Sequence, residues 1–408
     1  MKKNLLVAQS GGPTAAINAT VAGAIERALV SEDIDKIFGA VNGIKGVIEG
    51  RLIEIGETFR NPQNLQLLET TPAAALGSCR LKLKSLTENK AEYDAIIKTL
   101  KEFNIGYFIY IGGNDSMDTV LKLSEYCSQN GIDDIKIMGA PKTIDNDLCE
   151  TDHTPGFGSA AKYIATTFAE LKRDCDVYDI PAVTIVEVMG RNAGWLTASA
   201  ALARKNGCGG PQLIYLPEVA FDLQNFIDDV KAELKKSPVL LIAVSEGIKN
   251  KDGNYAAESY LSGAVDAFGH KYLAGTSKFL ADVVRERIGC KVRAVELNLM
   301  QRCASHIASQ TDITESKMLG AVAVDRALSG QSGRMASIKR ISDSPYSVSY
   351  DTVDIKMVAN HEKVIPREWI NAKGNDVTAD MIRYLLPLIK GESRVIYKDG
   401  LPVHIKLH

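Results

Sequence analysis

The sequence predicts an α/β protein in which mainly parallel sheets are covered by helices on both faces. Three observations support this prediction. Short apolar runs of strand length alternate with longer amphipathic runs of helix length along most of the chain. Two of the apolar runs end in glycine-rich turns that lead directly into a helical run. The 408 residues, of which 45% are hydrophobic, suffice for a large core or for two intertwined lobes.

The first elements follow this alternation. Residues 4–9 are predicted as a strand, a Ser-Gly-Gly-Pro-Thr turn follows, and a helical run occupies residues 15–29. Residues 50–90 break the alternation and are predicted as a long loop or short helices. Further strands are predicted at residues 107–111 and 135–139. The first part of the chain therefore predicts a parallel sheet with helical connections.

The alternation continues in the second part of the chain. The predicted elements are, in order, helix 158–173, strand 183–187, helix 195–204, strand 213–216, helix 223–235, strand 239–244, helix 276–288, strand 292–297 and helix 314–328. From about residue 343 the chain is predicted to be irregular, before a helix at residues 377–389 and a strand at residues 394–406. We find no repeat, low-complexity tract or flexible linker between lobes.

Composition and charge exclude several classes of function. The net charge of -2 gives no bulk attraction to nucleic acid or to membranes, and no apolar run approaches the length of a membrane span. The first apolar run is too short for a signal peptide, so we expect a cytoplasmic protein. The 7 cysteines show no C-x-x-C spacing, and the 6 histidines lie apart from the polar motifs. Carboxylates are therefore the candidates for proton chemistry.

The densest polar motif is Pro-Lys-Thr-Ile-Asp-Asn-Asp at residues 141–147, directly after a predicted strand. It sets a cation, a hydroxyl and two carboxylates in one short loop, at Lys142, Thr143, Asp145 and Asp147. Such a loop can be a turn whose Asp and Asn side chains cap their own backbone. Its position at the carboxyl end of a strand favours a ligand site for phosphoryl transfer, in which one carboxylate accepts a proton.

Two glycine-rich turns accompany this loop. Gly11 and Gly12 follow the first predicted strand, and a Gly-Gly-Asn-Asp-Ser motif occupies residues 112–116 after another strand. Glycine lets the backbone approach a ligand closely, Ser116 is a candidate N-cap, and the free N–H groups of a first helical turn favour an anion. A tight βα turn without a ligand is the simpler interpretation of Gly11 and Gly12 alone. Together with the acidic loop, the two turns predict a pair of phosphate cradles.

Six motifs, taken in order, resemble the phosphofructokinase family over nearly the whole chain. They are the Ser-Gly-Gly turn at 10–12, Gly-Ser-Cys-Arg at 77–80, the motifs at 112–116 and 141–147, Met-Gly-Arg at 189–191 and Gln-Arg at 301–302. The resemblance implies an α/β fold of two Rossmann-like lobes with mainly parallel sheets flanked by helices, plus a C-terminal extension. It places a donor lobe at residues 1–156, completed by about 301–360, a sugar-phosphate lobe at 157–300 and the extension at 361–408.

The resemblance also implies roles for individual residues. Asp145 is the base that takes the proton of the attacking hydroxyl, Thr143 binds the transferred phosphoryl group, and Asp147 supports the metal network. Lys142 and Asp115 complete the catalytic set. The residues implied in diphosphate binding are Gly11, Gly12, Arg80, Gly113 and Ser116. The residues implied in binding the sugar phosphate are Thr143, Ile144, Asp145, Met189, Gly190, Arg191, Glu246, Arg293, Leu299, Met300, Gln301 and Arg302.

Two positions discriminate between phosphoryl donors in the resembled family. Members that use ATP usually carry glycine where this chain has Asp115 and Lys142, and this pair resembles the diphosphate-dependent branch. An aspartate adds bulk and negative charge where a nucleotide α-phosphate would lie, whereas a lysine can meet a compact diphosphate. The resemblance thus implies reversible transfer from diphosphate to the 1-hydroxyl of fructose 6-phosphate, in glycolysis or gluconeogenesis. We expect a homodimer or homotetramer.

Several departures from the family pattern bear on the cofactor and on the acceptor. Mg²⁺ is the expected cofactor, and Asn114, which replaces the commoner aspartate, is the candidate metal ligand through its amide oxygen. Leu299 replaces a histidine or tyrosine, and Ala182 replaces an arginine that bacterial ATP-dependent enzymes contribute from a neighbouring subunit. The alternatives are an ATP-dependent phosphofructokinase, a sedoheptulose 7-phosphate kinase and a non-catalytic homologue. A Gly-x-Gly-x-x-Ala run at 156–161 lacks a preceding strand, which disfavours an NAD-dependent dehydrogenase.

Overall fold

The structure is a computed structural model that describes residues 2–177, 179–258 and 275–407. The chain forms two units. Unit 1 comprises Met1–Ser159, Arg302–Glu362 and Lys390–His408, and unit 2 comprises Ala160–Gln301 and Lys363–Ile389. The segment 361–408, for which a C-terminal extension is predicted, is divided between them. The roles of a donor lobe and a sugar-phosphate lobe stay predictions.

Strands and helices alternate through most of the described residues. The strands are β1 Lys3–Gln9, β2 Ile34–Ala40, β3 Leu52–Glu54, β4 Ile105–Gly112, β5 Lys136–Pro141, β6 Ala182–Val188, β7 Leu213–Tyr215, β8 Val239–Ser245, β9 Lys291–Glu296, β10 Arg334–Asp343, β11 Tyr346–Asp354, β12 Tyr397–Lys398 and β13 Leu401–Pro402. The helices are α1 Ile17–Leu29, α2 Gly43–Ile48, α3 Pro62–Thr70, α4 Lys90–Glu102, α5 Asn114–Gln129, α6 Phe157–Cys175, α7 Trp195–Ser199, α8 Leu223–Leu234, α9 Thr276–Ile288, α10 Met300–Cys303, α11 Gln310–Leu328 and α12 Ala379–Leu385. Short 3₁₀ helices lie at Glu57–Arg60, Ala200–Asn206, Ser305–Ile307, Ile355–Met357, Arg367–Trp369 and Leu386–Ile389.

Unit 1 is built on a seven-stranded sheet with the strand order β11-β10-β5-β4-β1-β2-β3. The five inner strands are parallel, and the two edge strands β11 and β3 are antiparallel to their neighbours. Successive side chains of a strand face opposite sides of a sheet, so buried Leu5 and Val7 pack with α1 and α11, whereas Leu6 and Ala8 pack with α2, α4 and α5. Helices therefore cover both faces, as β strands apolar on both sides require.

The carboxyl ends of β1, β4 and β5 lie at one edge of this sheet. Gln9 at the end of β1 is in register with Ile111 of β4, and Gly112 of β4 is in register with Pro141 of β5. The turns that follow these strands therefore begin side by side. In open α/β sheets this carboxyl edge is the usual place for a ligand.

Unit 2 is built on a smaller, fully parallel sheet with the strand order β7-β8-β6-β9. On one face, buried residues of β6 and β8 pack against α8 and α9. The short helix α7 contacts β6, β7 and β8. Parallel sheets flanked by helices confirm the predicted fold class.

Two predictions for the last part of the chain are wrong. The stretch from residue 343 is not irregular, because β10 and β11 form a long antiparallel pair. The predicted strand at residues 394–406 is instead a short hairpin of β12 and β13, since Asp399 and Gly400 both have positive φ (52° and 82°) and turn the chain back. No helix in the described residues is long and apolar enough to cross a membrane.

Candidate active site

Two hydrogen bonds fix the first glycine-rich turn of unit 1 to the Gly-Ser-Cys-Arg motif. Gly11 has a φ of +76°, which glycine adopts without strain. Its N–H donates to the carbonyl of Cys79 at 3.2 Å, and the Ser78 hydroxyl donates to the Gly11 carbonyl at 2.7 Å. The Gly-Ser-Cys-Arg motif therefore lies directly against this turn. Arg80, which follows Cys79, is brought to the edge of the sheet where β1 ends.

A buried pair of amides, Gln9 and Asn18, fixes the loop that carries Arg80. The Gln9 amide donates to Asn18 Oδ1 at 2.8 Å and accepts from the Leu76 N–H at 2.9 Å. The Asn18 amide donates to the carbonyl of Thr71 at 2.8 Å. Neither residue was predicted as part of the site. The available signal was an uncharged amide inside an otherwise apolar strand or helix, because a buried amide needs partners.

The second glycine-rich turn joins β4 to α5. A Cβ on Gly112 would collide with the Ser116 side chain, so this position needs glycine. The helix begins at Asn114, which makes Gly113 its N-cap. Ser116 is therefore not the N-cap, contrary to prediction, but lies buried in the first turn. Asp115 also lies in that turn, and its carboxylate is 3.2 Å from Lys82 Nζ.

Asn114 uses both ends of its amide within unit 1. Its Oδ1 accepts a hydrogen bond from the Asn360 N–H, and its Nδ2 donates to the carbonyl of His361, each at 2.6 Å. An aspartate could not donate the second bond. This pairing gives a structural reason for asparagine at this position, and its role as a metal ligand stays a prediction.

The acidic loop after β5 folds back on itself through Thr143. The Asp145 N–H donates to Thr143 Oγ1 at 3.1 Å, and that hydroxyl lies 3.3 Å from Asp145 Oδ2. The Thr143 carbonyl accepts from the Thr154 hydroxyl at 2.7 Å, and its N–H donates to the carbonyl of Pro155 at 3.2 Å. Asn146 adopts a φ of +56° and accepts from the Thr154 N–H. These hydrogen bonds close the loop and fix the position of Thr143 and Asp145 within it.

Lys142 joins the acidic loop to both glycine-rich turns. Its N–H donates to the carbonyl of Gly112 at 2.9 Å, and its Nζ donates to the carbonyl of Gly12 at 2.7 Å. A Cβ on Gly11 would lie 3.2 Å from this Nζ. The side chain is only 2% exposed, and the burial lowers the pKa of Lys142 to about 8, although nearby Asp145 opposes the shift. The three loops therefore meet at Lys142.

Two arginines add positive charge at the same place in unit 1. A Cβ on Gly12 would lie 3.4 Å from Arg302 Nη1. Burial, followed by the charge of Arg80, lowers the pKa of Arg302, and both arginines also act to lower the pKa of Lys142. Asp145 and Asp147 are the carboxylates that oppose these cations. A cluster of three cations beside the first glycine-rich turn can bind a compact, highly charged anion.

In unit 2, four of the residues predicted to bind the sugar phosphate form one hydrogen-bonded group. The Met189 N–H donates to Gln301 Oε1 at 3.2 Å, and the Gly190 N–H donates to Glu246 Oε1 at 3.3 Å. Gly190 has a φ of +130°, which again favours glycine. Met189 and Gly190 follow β6 and Glu246 follows β8, so these three lie at the carboxyl edge of the second sheet, while Gln301 lies in α10. Arg191 follows them directly.

Other predicted residues of unit 2 are exposed. Arg293 is exposed in the middle of β9, where it is in register with Thr184 rather than with the end of β6. Leu299 and Met300 are 52% and 54% exposed. Ile144 of unit 1 is buried. The structure therefore groups Met189, Gly190, Glu246 and Gln301, and leaves the roles of Arg293, Leu299 and Met300 as predictions.

Comparisons with known proteins agree in one family. A family model described as phosphofructokinase matches residues 4–327. Pyrophosphate–fructose 6-phosphate 1-phosphotransferase of Halomonas elongata is 40% identical over 99% of this chain and 96% of its own length. The enzyme of the same name from Xanthomonas campestris is 41% identical, with the same shares covered.

A solved structure gives the same result for the fold. The crystal structure of the pyrophosphate-dependent phosphofructokinase of Nitrosospira multiformis has a TM-score of 0.89 and 38% sequence identity. The match covers 100% of this chain and 96% of that one. Because the family model spans most of the chain and these relatives match it over nearly its whole length, the chain belongs to the phosphofructokinase family.

Proposed function

We propose that this chain is a diphosphate-dependent 6-phosphofructokinase that transfers a phosphoryl group from diphosphate to the 1-hydroxyl of fructose 6-phosphate. The observation that carries the proposal is Lys142, whose buried ammonium group contacts the first glycine-rich turn while its backbone N–H is bonded to the second. A nucleoside triphosphate needs open space at these turns. A lysine side chain fills part of that space and favours a shorter anion. The names of the two bacterial relatives support the same donor and acceptor.

On the donor side, Lys142, Arg80 and Arg302 supply the positive charge for diphosphate, and the backbone at Gly11, Gly12 and Gly113 gives it close access. Arginine can grip phosphate oxygens with two parallel N–H groups, and lysine acts as a point charge. Asp115 and Ser116 lie in the first turn of α5. There the carboxylate of Asp115 repels the additional phosphate of a nucleotide, which a bare helix N-terminus would otherwise attract.

In the chemical step, the oxygen of the sugar 1-hydroxyl forms a bond to phosphorus as the bridging P–O bond of diphosphate breaks and phosphate leaves. Asp145 accepts the hydroxyl proton. Thr143 orients this carboxylate through the 3.3 Å contact and can turn its O–H to the transferred phosphoryl group. In the reverse direction, Asp145 returns the proton to the sugar oxygen. The protein acts by positioning and charge stabilisation, as phosphoryl transfer requires.

On the acceptor side, the Met189, Gly190, Glu246 and Gln301 group holds the sugar. Glu246 accepts hydrogen bonds from sugar hydroxyls while it is itself fixed by the Gly190 N–H. Further contacts to the sugar phosphate are assigned to Ile144, Arg191, Arg293, Leu299 and Met300, and the two arginines of this set grip the 6-phosphate, which lies far from the reacting hydroxyl. Arg302, for which the resemblance implied sugar-phosphate binding, lies beside Gly12 and is assigned to diphosphate instead.

The metal in this proposal is Mg²⁺ brought by diphosphate. Among the described residues no group of three or more His, Cys, Asp or Glu side chains could cage a metal. Mg²⁺ usually keeps several waters and takes ligands from phosphates and one or two carboxylates, which fits the partly exposed Asp147. Asn114 is the second candidate, with an oxygen it shares with the Asn360 N–H. When bound, Mg²⁺ offsets the negative charge of diphosphate.

We also propose that the enzyme is a homodimer or homotetramer of the cytoplasm. The cellular location follows from the proposed substrates, because phosphorylated sugars are too highly charged to cross a membrane unaided. Size-exclusion chromatography with light scattering measures the assembly directly.

The experiment that tests the function is a matrix of donors and acceptors on the purified protein. Diphosphate or ATP is combined with fructose 6-phosphate or sedoheptulose 7-phosphate, with and without Mg²⁺. We expect the highest kcat/KM for diphosphate with fructose 6-phosphate in the presence of Mg²⁺. Higher efficiency with ATP would contradict the donor, higher efficiency with the seven-carbon sugar would contradict the acceptor, and no turnover would leave a non-catalytic homologue.

A further inference from the structure

His153 is a buried histidine of unit 1 that the proposed mechanism does not use. It is 2% exposed and lies at the end of the loop that begins with Lys142. Its Nδ1 is 2.8 Å from Asp152 Oδ2, and its Nε2 is 2.5 Å from Glu315 Oε2. Carboxylates only accept hydrogen bonds, so both ring nitrogens donate, and a ring that donates twice is an imidazolium. The histidine is therefore a buried cation between two carboxylates.

Charged and titratable groups from four elements surround this pair of contacts. They are Asp152 in the loop, Asp312 and Glu315 on α11, Arg340 and Asp343 on β10, and Tyr346 and Tyr350 on β11. Arg340 donates twice to Asp152 Oδ2, at 2.9 and 3.1 Å, and the Tyr346 hydroxyl donates to Glu315 Oε1 at 2.7 Å. The network thus connects the loop to the helix α11 and to the β10–β11 pair.

The balance of these groups keeps His153 charged at neutral pH. Burial alone would lower the pKa of His153, but the hydrogen bonds and charges of Asp152 and Glu315 raise the pKa to about 9. Because the histidine pKa is raised on folding, the stability that this ion network contributes is fully present below pH 6.5 and is lost as the pH rises through about 9.

The residues after His153 connect this network to the acidic loop. Thr154 donates through its hydroxyl to the Thr143 carbonyl at 2.7 Å and through its N–H to Asn146 Oδ1 at 3.1 Å. The Pro155 carbonyl accepts from the Thr143 N–H. On the other side, Asp312 accepts from the N–H groups of Gly156 and Ser159, both at 2.9 Å. Both ends of the segment 153–156 are therefore fixed to α11.

We propose that His153, held between Asp152 and Glu315, is a positioning residue that fixes Thr143 and Asp145 for phosphoryl transfer through Thr154 and Pro155. Both of its nitrogens are occupied by carboxylates, so it cannot itself serve as a base toward substrate. Loss of the His153 charge releases the first end of the segment 153–156 from α11, while Asp312 still holds Gly156. The Asp145 carboxylate then departs from its productive geometry while the cations that bind diphosphate stay in place.

Glu315→Gln tests this inference, because it removes one carboxylate charge from His153 and leaves the residues of the acidic loop unchanged. Since the inference rests on the proposed function, diphosphate turnover by the wild type is measured first. We expect wild-type kcat to fall as the pH rises through about 9. In Glu315→Gln the midpoint shifts to lower pH, and kcat at pH 8 drops about 10-fold to 100-fold with KM values within about twofold.

Two further measurements separate positioning from general loss of structure. Histidine labelled with ¹³C at Cε1 gives the titration of His153 by NMR, assigned by the signal that His153→Gln lacks. The exposed His404→Gln serves as the matched control and keeps the wild-type pH profile of kcat. If Glu315→Gln does not fold, Asp152→Asn replaces it, because this variant removes the other carboxylate charge from His153.

The outcomes are distinct. A shift of the NMR titration and of the kcat midpoint to the same lower pH supports the positioning role. A shifted titration with an unmoved kcat midpoint overturns it and leaves the proposed function intact. An inactive wild type overturns the proposed function and this inference with it.

Discussion

Lys142 combines burial with a position between two phosphate cradles. Its ammonium group donates to the carbonyl of Gly12, and its backbone N–H donates to that of Gly112. Burial disfavours the charged form of a lysine, which is why the pKa of Lys142 falls to about 8. An anion that binds beside it favours the charged form and so raises the pKa of Lys142 again. The residue therefore links diphosphate binding to its own protonation.

This link predicts a pH dependence for the free enzyme. A lysine is charged below its pKa, so kcat/KM for diphosphate is expected to be constant below pH 8 and to fall as the pH rises through about 8. Lys142→Met lowers kcat/KM at neutral pH and removes this alkaline fall. The measurement is the initial rate at low diphosphate across the pH range. If kcat/KM of Lys142→Met fell with the same midpoint pH as that of the wild type, the titrating group would be a residue other than Lys142.

Asp145 carries the proton transfer in the proposed mechanism. Asp145→Asn keeps the size of the side chain and its backbone bond to Thr143 but removes the basic carboxylate. We expect kcat to fall by roughly 100-fold or more, the usual scale for general base catalysis, with KM for fructose 6-phosphate little changed. Circular dichroism checks the fold. A folded variant with near-normal kcat would exclude Asp145 as the base.

At the scale of elements, the close packing of α1 against α11 connects the first glycine-rich turn to the helix that bears Asp312 and Glu315. Glycine in the middle of each helix allows the approach. A Cβ on Gly23 would collide with the backbone carbonyl of Lys317, and a Cβ on Gly320 would collide with that of Thr20. A helix interior otherwise favours alanine over glycine. These glycines are therefore explained by backbone contact between helices.

The packing predicts that Gly23→Ala destabilises the protein, although alanine has the higher helix propensity. Forcing a methyl group into a filled core typically costs about 1–3 kcal/mol, and here the obstacle is rigid backbone. The measurement is urea unfolding followed by circular dichroism. Gly56→Ala is the matched control, because its Cβ would make an ordinary contact of 3.5 Å with Ile37. Equal or greater stability of Gly23→Ala than of the wild type would contradict the packing.

The elements also differ in how far the sequence reveals them. The strands β1, β4, β5, β6 and β8 are nearly continuous apolar runs, because helices cover their sheets, and they were predicted, whereas the more polar inner strands β2 and β10 were not. β11 escaped prediction since only alternate residues, such as Val348 and Tyr350, face the protein while Ser and Asp residues face solvent. The alternation of apolar and polar residues, with a period of two, was the sequence signal for β11. In the last hairpin, the Asp-Gly turn at residues 399 and 400 was the signal that was missed.

At the scale of the whole molecule, the candidate residues fall into two groups, one in each unit. The donor group gathers the turns at residues 10–12, 112–116 and 141–147, and its convergence was predictable because carboxyl ends of neighbouring parallel strands meet at one edge. The partners of the supporting residues were not predictable. Gln9, Asn18 and His153 bond to Leu76, Thr71 and Glu315, contacts distant in sequence that periodicity and motif spacing do not encode.

The measurement that tests the central claim most directly is the ratio of kcat/KM for diphosphate to kcat/KM for ATP, with fructose 6-phosphate and Mg²⁺. It is taken on the wild type and on Asp115→Gly combined with Lys142→Gly, which removes the charge and bulk at both turns. We predict a wild-type ratio well above one and a marked fall in the double variant, as diphosphate activity drops and ATP is admitted. A wild type that uses ATP as well as diphosphate, or a double variant with an unchanged ratio, would contradict the account.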